Sequence, residues 1–138
     1  MKVKAYITFG GRCKEALAFY KKSIGAEITS LMRWKESPDK GMRGPPGYEE
    51  KIMNAVFRIG ETELMADDGM GEAPAQFKGM TLAIEVTDDA EAKRVFTELG
   101  EGGSVKMPLA KTFWTSSFGM LTDKFGVPWM VNVASSKS

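Results

Sequence analysis

The apolar residues of this chain change their spacing in a fixed order, and they do so twice. In residues 2–9, Val3, Ala5, Ile7 and Phe9 alternate with Lys4, Tyr6 and Thr8, the period of two that a half-buried strand requires. The Gly10-Gly11 pair ends that strand. Residues 13–23 then place Ala16, Leu17, Phe19 and Tyr20 at helical spacing, and Gly25 closes the helix as a residue suited to positive φ. Strands are expected at 26–34, 51–59 and 62–67, the last two joined by a tight hairpin across Gly60-Glu61. The second half repeats this order. Met80, Leu82, Ile84 and Val86 alternate with Thr81, Ala83 and Glu85. Asp88 and Glu91 make a capping-box start for a helix over 89–99, which Gly100, Gly102 and Gly103 stop. Strands follow near 104–110, 113–122 and 127–133.

This repetition predicts an α+β fold of two βαβββ modules, since one such unit is too small to bury a sheet face by itself. The chain reads as a single domain over 1–138, with module 1 at about 1–67, a linker at 68–79 and module 2 at about 80–134. A weak internal echo agrees with that order: EALAFYKKSIG at 15–25 lies over EAKRVFTELGEG at 91–102, and IGETELMA at 59–66 over FGVPWMVN at 125–132. The Pro/Gly-rich loop ESPDKGMRGPPGYEE at 36–50 is extra to the first half and reads as a lid or a plain surface insertion, with Gly41, Gly44 and Gly47 as bends.

Charge and cysteine content narrow the function classes. Lys plus Arg is 19 and Asp plus Glu is 18, scattered along the chain, which disfavours nucleic acid as a partner. The longest apolar stretch is far short of a membrane span, and the first residues alternate rather than form a signal-peptide block. A single cysteine excludes a disulfide framework. The expectation is a cytoplasmic protein with neither nucleic-acid nor membrane partners.

The stretches EALAFYKKSIGAE, MRWKESP, PPGYEEKIMNAVFRIGETELMADD, KMPLAKTFW and FGMLTDKFGVPWMVNV together resemble the PhnB-like branch of the vicinal oxygen chelate superfamily. That superfamily includes glyoxalase I, bleomycin-resistance proteins and extradiol dioxygenases. The resemblance spans about residues 3–133. It implies a glyoxalase/bleomycin resistance-like fold, an incomplete barrel around a pocket, and a homodimer, possibly one with exchanged modules. Some sequences of the branch carry a label as demethylubiquinone methyltransferases. No Gly-rich turn of the nucleotide-cradling kind supports methyl transfer here.

Metal-dependent members of the superfamily hold one divalent ion with His, Gln or Glu on the first and last strands of each module. Counted from the motif matches, the corresponding residues are Tyr6 (or Ala5), Leu64, Thr81 and Met130. Leucine offers no lone pair and methionine is a soft ligand, so no metal and no cofactor are expected. A carboxylate site from Glu85 with Asp67 or Asp68 is the remaining route. Relatives often carry histidine where this chain has Asn54, and there is no histidine anywhere in it. Asparagine does not titrate near neutral pH, so acid–base work would fall to Tyr6 or Glu85, with Glu63 and Asp67 behind them.

The expected ligand-binding set is Arg33, Asn54, Trp114, Met130 and Asn132. Arg33 and Lys51 either clamp an anion or guard a strand edge. Phe113 and Trp114 lead into Thr115, Ser116 and Ser117, an aromatic wall with hydroxyls that suits a flat ligand or an interface between subunits. Cys13 opens a helix, but no histidine is present to serve as its base, so a structural role is expected. On the last strand Trp129, Val131 and Val133 should form core while Met130 and Asn132 face a concave side. The function expected is binding of a small, partly aromatic or amphipathic molecule in a Met/Trp/Phe-lined pocket. The alternative is a glyoxalase- or dioxygenase-type enzyme with a non-standard site.

Overall fold

The computed structural model describes residues 1–71 and 74–134, so the expected linker lies partly outside the described residues. The chain divides into two compact units, Met1–Ala75 and Gln76–Ser138. Each contains one four-stranded sheet and one α-helix, and among the described residues the strands do not join into a closed barrel.

The first unit runs β1 (Tyr6–Thr8), α1 (Cys13–Ile24), β2 (Glu27–Arg33), β3 (Ile52–Ile59) and β4 (Thr62–Asp67). Its sheet order is β1-β4-β3-β2, with β1 parallel to β4 and the other pairs antiparallel. Helix α1 buries Cys13, Ala16, Leu17 and Tyr20, a stripe at helical spacing. Tyr20 is fully buried and its ring lies between Phe9 and Phe57, with centroids 6.1 and 6.4 Å away. Gly25 takes φ 70°, and its N–H returns to Lys21 and Tyr20 carbonyls, the left-handed stop that a Cβ would disfavour. The hairpin forms as expected, with Ile59 paired to Thr62 across Gly60-Glu61.

The second unit repeats the order with β5 (Leu82–Val86), α2 (Asp89–Leu99), β6 (Ser104–Ala110), β7 (Phe118–Thr122) and β8 (Pro128–Val133), and sheet order β5-β8-β7-β6. Helix α2 starts as a capped helix: Asp88 accepts from the Glu91 N–H at 2.8 Å. The Glu91 carboxylate reaches back to the Thr87 N–H, one residue earlier than the expected box. Gly119 of β7 lies under α2, where an added Cβ would stand 2.6 Å from the Phe96 ring, so the helix can sit this close only because the residue is glycine.

Four expectations need correction. Strand β1 starts only at Tyr6, and Val3 is 95% exposed, because only Ile7 and Phe9 reach α1. The strand expected over 113–122 begins at Phe118. Hydroxyls hold the preceding segment as a turn: Thr115 Oγ1 donates to the Val133 carbonyl at 2.7 Å, and Ser116 and Ser117 both donate to Asp89. In the 36–50 loop, Gly44 packs on the buried Trp34, where an added Cβ would lie 2.7 Å from the ring. Gly44 is thus a close-packing residue as well as a bend.

The fourth concerns Asp68. Its side chain is buried, accepting the Cys13 N–H on Oδ1 and the Ile52 N–H on Oδ2, each at 2.7 Å. It bonds the first N–H of α1 and fixes the start of β3, so both oxygens are committed to main-chain N–H groups inside the core. We expect Asp68→Ala to leave two buried N–H groups unpaired and to lower stability by roughly 2–5 kcal/mol, read as a lower urea midpoint at unchanged slope.

Candidate functional site

Each sheet has one face covered by its helix and one open face, and strand alternation decides which residues reach the open one. In the first unit Ile7, Ala55, Phe57, Leu64 and Ala66 are buried on the helix side. The register places Tyr6, Met65 and Val56 in one row across the open face. Thr8 pairs with Asp67, and Asn54 stands beside Asp67 because Ala55 pairs with Ala66. Met32 completes that second row beside Asn54.

Three of these groups are joined. The Tyr6 hydroxyl donates to Asp67 Oδ2 at 3.1 Å. Burial pushes the Tyr6 phenol above its ordinary pKa; a hydrogen bond from Asn54 opposes this, and the charge of Asp67 adds to it. Asp67 Oδ1 is shielded from solvent and has no hydrogen-bond partner among the described residues.

Arg33 is not part of this group. It stands opposite Ile52 at the end of β2, 3.8 Å from Glu50, and Met32 holds the place next to Asn54. Lys51 Nζ donates to the Gly11 carbonyl at 2.8 Å and pins the β1–α1 turn. Glu63 is paired with Lys4 at the far end of the same face. Cys13 is fully buried, and burial pushes its thiol pKa far up, with Asp68 and Asp67 adding to the shift, so its role is structural.

The open face of the second unit carries Ala83, Met130 and Met120 in one row and Glu85, Asn132 and Phe118 in the next. As expected, Trp129, Val131 and Val133 are buried while Met130 and Asn132 are half-buried. The partner of Asn132 is Trp114, whose indole N–H donates to Asn132 Oδ1 at 3.1 Å. Trp114 also meets Phe118 edge-on at 5.2 Å and Phe113 at 4.9 Å. The lone amide of the last strand therefore anchors a partly exposed aromatic cluster. The loop bearing that cluster is held in turn by Asp89, whose carboxyl is drawn below its usual range by the hydroxyls of Ser116 and Ser117.

Register corrects two of the positions inferred for a metal. Leu64 is buried on the helix side, and Met65 occupies the open-face position that pairs with Tyr6. Across from Met130 stands Ala83, with Thr81 lying just before β5. The open-face pairs are then Tyr6 with Met65 in the first unit and Ala83 with Met130 in the second, and neither pair offers the donors that a Zn, Ni or Fe ion bound through nitrogen and oxygen takes. No group of three His, Cys, Asp or Glu side chains among the described residues could hold a metal.

Buried acids were the main feature that sequence reasoning missed. Asp123 accepts from the Phe125 and Val127 N–H groups at 2.8 and 3.0 Å and from the Trp129 indole at 2.8 Å. Its only sequence signal is an aspartate three residues before a turn glycine.

The fold is that of the glyoxalase/bleomycin-resistance class. The fosfomycin resistance protein FosX from Mesorhizobium loti superposes with TM-score 0.66 at 12% identity, covering 99% of this chain and 94% of that one. A glyoxalase-related enzyme from Fulvimarina pelagi gives 0.63 at 15%, covering 97% and 88%. At such identities the likeness is one of fold alone.

Closer relatives define the family. Protein PA1353 from Pseudomonas aeruginosa is 40% identical with TM-score 0.85, over 96% of this chain and 97% of that one. A Bacillus cereus protein provisionally described as a 3-demethylubiquinone-9 3-methyltransferase, PhnB protein, is 29% identical with TM-score 0.81, over 97% and 100%. Protein YjdN of Escherichia coli (strain K12) is 36% identical over 96% of this chain and 95% of its own length. The family described as 3-demethylubiquinone-9 3-methyltransferase matches residues 1–132, and the chain belongs to this PhnB-like family.

The Tyr6 group makes a signed prediction. In an absorbance titration at 295 nm, Asn54→Ala should move the Tyr6 transition to higher pH, because the opposing hydrogen bond is lost. Asp67→Asn should move it to lower pH, because a neighbouring negative charge is removed.

Proposed function

We propose that this chain is a metal-free, small-molecule-binding member of its family, taking a partly aromatic or amphipathic ligand against the open faces of its sheets. The observation that carries this reading is the composition of those faces. Tyr6 and Met65 in the first unit, and Ala83 and Met130 in the second, take open-face positions at which the resemblance would put metal ligands; Met32 lies on the first open face, and Met120 and Phe118, with Trp114 packed on it, lie on the second. Methionine and aromatic side chains give an adaptable apolar lining, and the few polar groups among them set orientation. Homodimerisation belongs to the same proposal: the edge strand β6 leaves Val105 and Met107 exposed. No helix among the described residues is long and apolar enough to cross a membrane.

Methyl transfer is not part of the proposal. The turn between β1 and α1 does contain Gly10 and Gly11, but the Cys13 N–H at the helix start is bonded to the Asp68 carboxylate. A second reading has one observation in its favour. Tyr6 is held by Asp67 and Asn54 with its pKa raised, so it remains a neutral hydrogen-bond donor at physiological pH, able to stabilise an oxyanion in a glyoxalase- or dioxygenase-type reaction.

Native mass spectrometry and elemental analysis of untagged protein test the first reading. The expected result is a dimer without stoichiometric divalent metal, whose tryptophan emission changes on addition of aromatic ligands. One bound metal per chain would overturn it. For the second reading, turnover of a hemithioacetal or catechol that Tyr6→Phe lowers at least a hundredfold, with substrate affinity little changed, is the supporting outcome.

A further inference from the structure

The tryptophans of this chain are bonded unequally. Trp129 Nε1 donates to Asp123 at 2.8 Å and Trp114 Nε1 to Asn132 at 3.1 Å. Trp34 is 5% exposed, yet its shielded indole N–H meets no acceptor among the described residues. A buried donor in that state shifts the balance toward any arrangement that wets it, by a factor of roughly five to a hundred. Gly44 of the 36–50 loop lies directly on the Trp34 ring. It takes φ 74°, and an added Cβ would stand 2.7 Å from the ring.

The bonds of that loop let it lift without breaking any to another part of the unit. Within it, the Met42 N–H donates to the Asp39 carbonyl at 2.9 Å, the Gly41 N–H to Asp39 Oδ1 at 2.9 Å, and the Tyr48 N–H to the Pro45 carbonyl at 3.1 Å. At its base the Lys35 N–H donates to the Glu49 carbonyl at 3.1 Å and the Trp34 N–H to the Lys51 carbonyl at 3.0 Å, with ion pairs from Glu50 to Lys35 and Arg33. Arg43 reaches back only to the Lys35 carbonyl. Among the described residues, every hydrogen bond and ion pair of residues 36–50 stays within residues 33–51. Elsewhere the loop lies against glycines. Tyr48 Oη and Pro45 Cγ stand 3.8 and 3.6 Å from where a Cβ would lie on Gly11 and Gly71, so neither position has a side chain to grip it.

We propose that residues 36–50 are a flap that lifts as one piece about its base and uncovers Trp34. Trp34 lies two residues past Met32, whose partner across the sheet is Asn54. Lifting the flap therefore adds an indole ring and a free N–H donor near the end of that open-face row. The motion involves the first unit alone and needs no particular ligand.

Nuclear magnetic resonance of the isotope-labelled full chain tests this, with Trp129 as the internal control because it is similarly buried but bonded. The Trp34 indole N–H should exchange with water at least about tenfold faster than that of Trp129. Relaxation dispersion should find one shared microsecond-to-millisecond process over residues 38–48, absent from Cys13 and Ile52, whose N–H groups Asp68 holds. Gly44→Ala should keep the flap off the ring, so that Trp34 exchange and its quenching by acrylamide rise severalfold while Trp129 exchange is unchanged. A Trp34 N–H that exchanges as slowly as that of Trp129 overturns the proposal, whether a fixed water or rigid packing protects it. Dispersion that is absent from the loop, or runs at different rates along it, does the same, as does a folded Gly44→Ala protein with Trp34 exchange unaltered. Should that variant not fold, exchange and dispersion in the unaltered chain decide.

Discussion

The carboxylate of Asp68 is the interaction on which the first unit most depends. It accepts main-chain N–H groups from the start of α1 and the start of β3, and its own main-chain N–H donates to the Ile52 carbonyl. One side chain therefore closes a helix end, a strand end and the strand that leads into it. A buried charge is tolerated here because donors meet both oxygens. Strand alternation then has a consequence for its neighbour: with Asp68 turned into the core, Asp67 faces the open side, where it meets Tyr6. The buried acid and the open-face acid are adjacent in sequence and opposite in direction.

The second unit solves the same problem at a different place. Its buried acid, Asp123, sits in the β7–β8 connection and gathers two main-chain N–H groups and the Trp129 indole. The two hairpins differ in length: β3 and β4 are joined across Gly60-Glu61, while β7 and β8 are joined by residues 123–127. A residue count from the sequence echo paired Met130 with Leu64, whereas Leu64 is buried on the helix side of its sheet and Met130 is half-buried on the open face of its own. One residue of slip exchanges the core face for the open face, so the error moved a core leucine into the supposed metal position.

The open faces show how a repeated unit can specialise. In the first, a phenol, an amide and a carboxylate form one hydrogen-bonded group. In the second, the amide Asn132 holds an indole, and aromatic rings take the place of the phenol. The 112–117 turn makes this possible. Had it continued as strand, Trp114 would have alternated with its neighbours along the ladder instead of folding back on Asn132 and Phe118. Hydroxyls of Thr115, Ser116 and Ser117 supply the competing bonds.

Periodicity by itself determined the element order, the two helices with their buried stripes, the Gly25 stop, the Gly60 hairpin and the inward Trp129, Val131 and Val133, because all of these are local consequences of spacing and backbone preference. Only the tertiary structure decided which carboxylates are structural and which are available, that Lys51 is a latch, that Arg33 stands apart from Asn54, and that Trp114 belongs to Asn132. These depend on hydrogen-bond partners far apart in sequence: Asp68 with Cys13, Asp67 with Tyr6 and Asn132 with Trp114. A side chain's spacing says which face it takes, and its chemistry is set by what the fold brings to meet it.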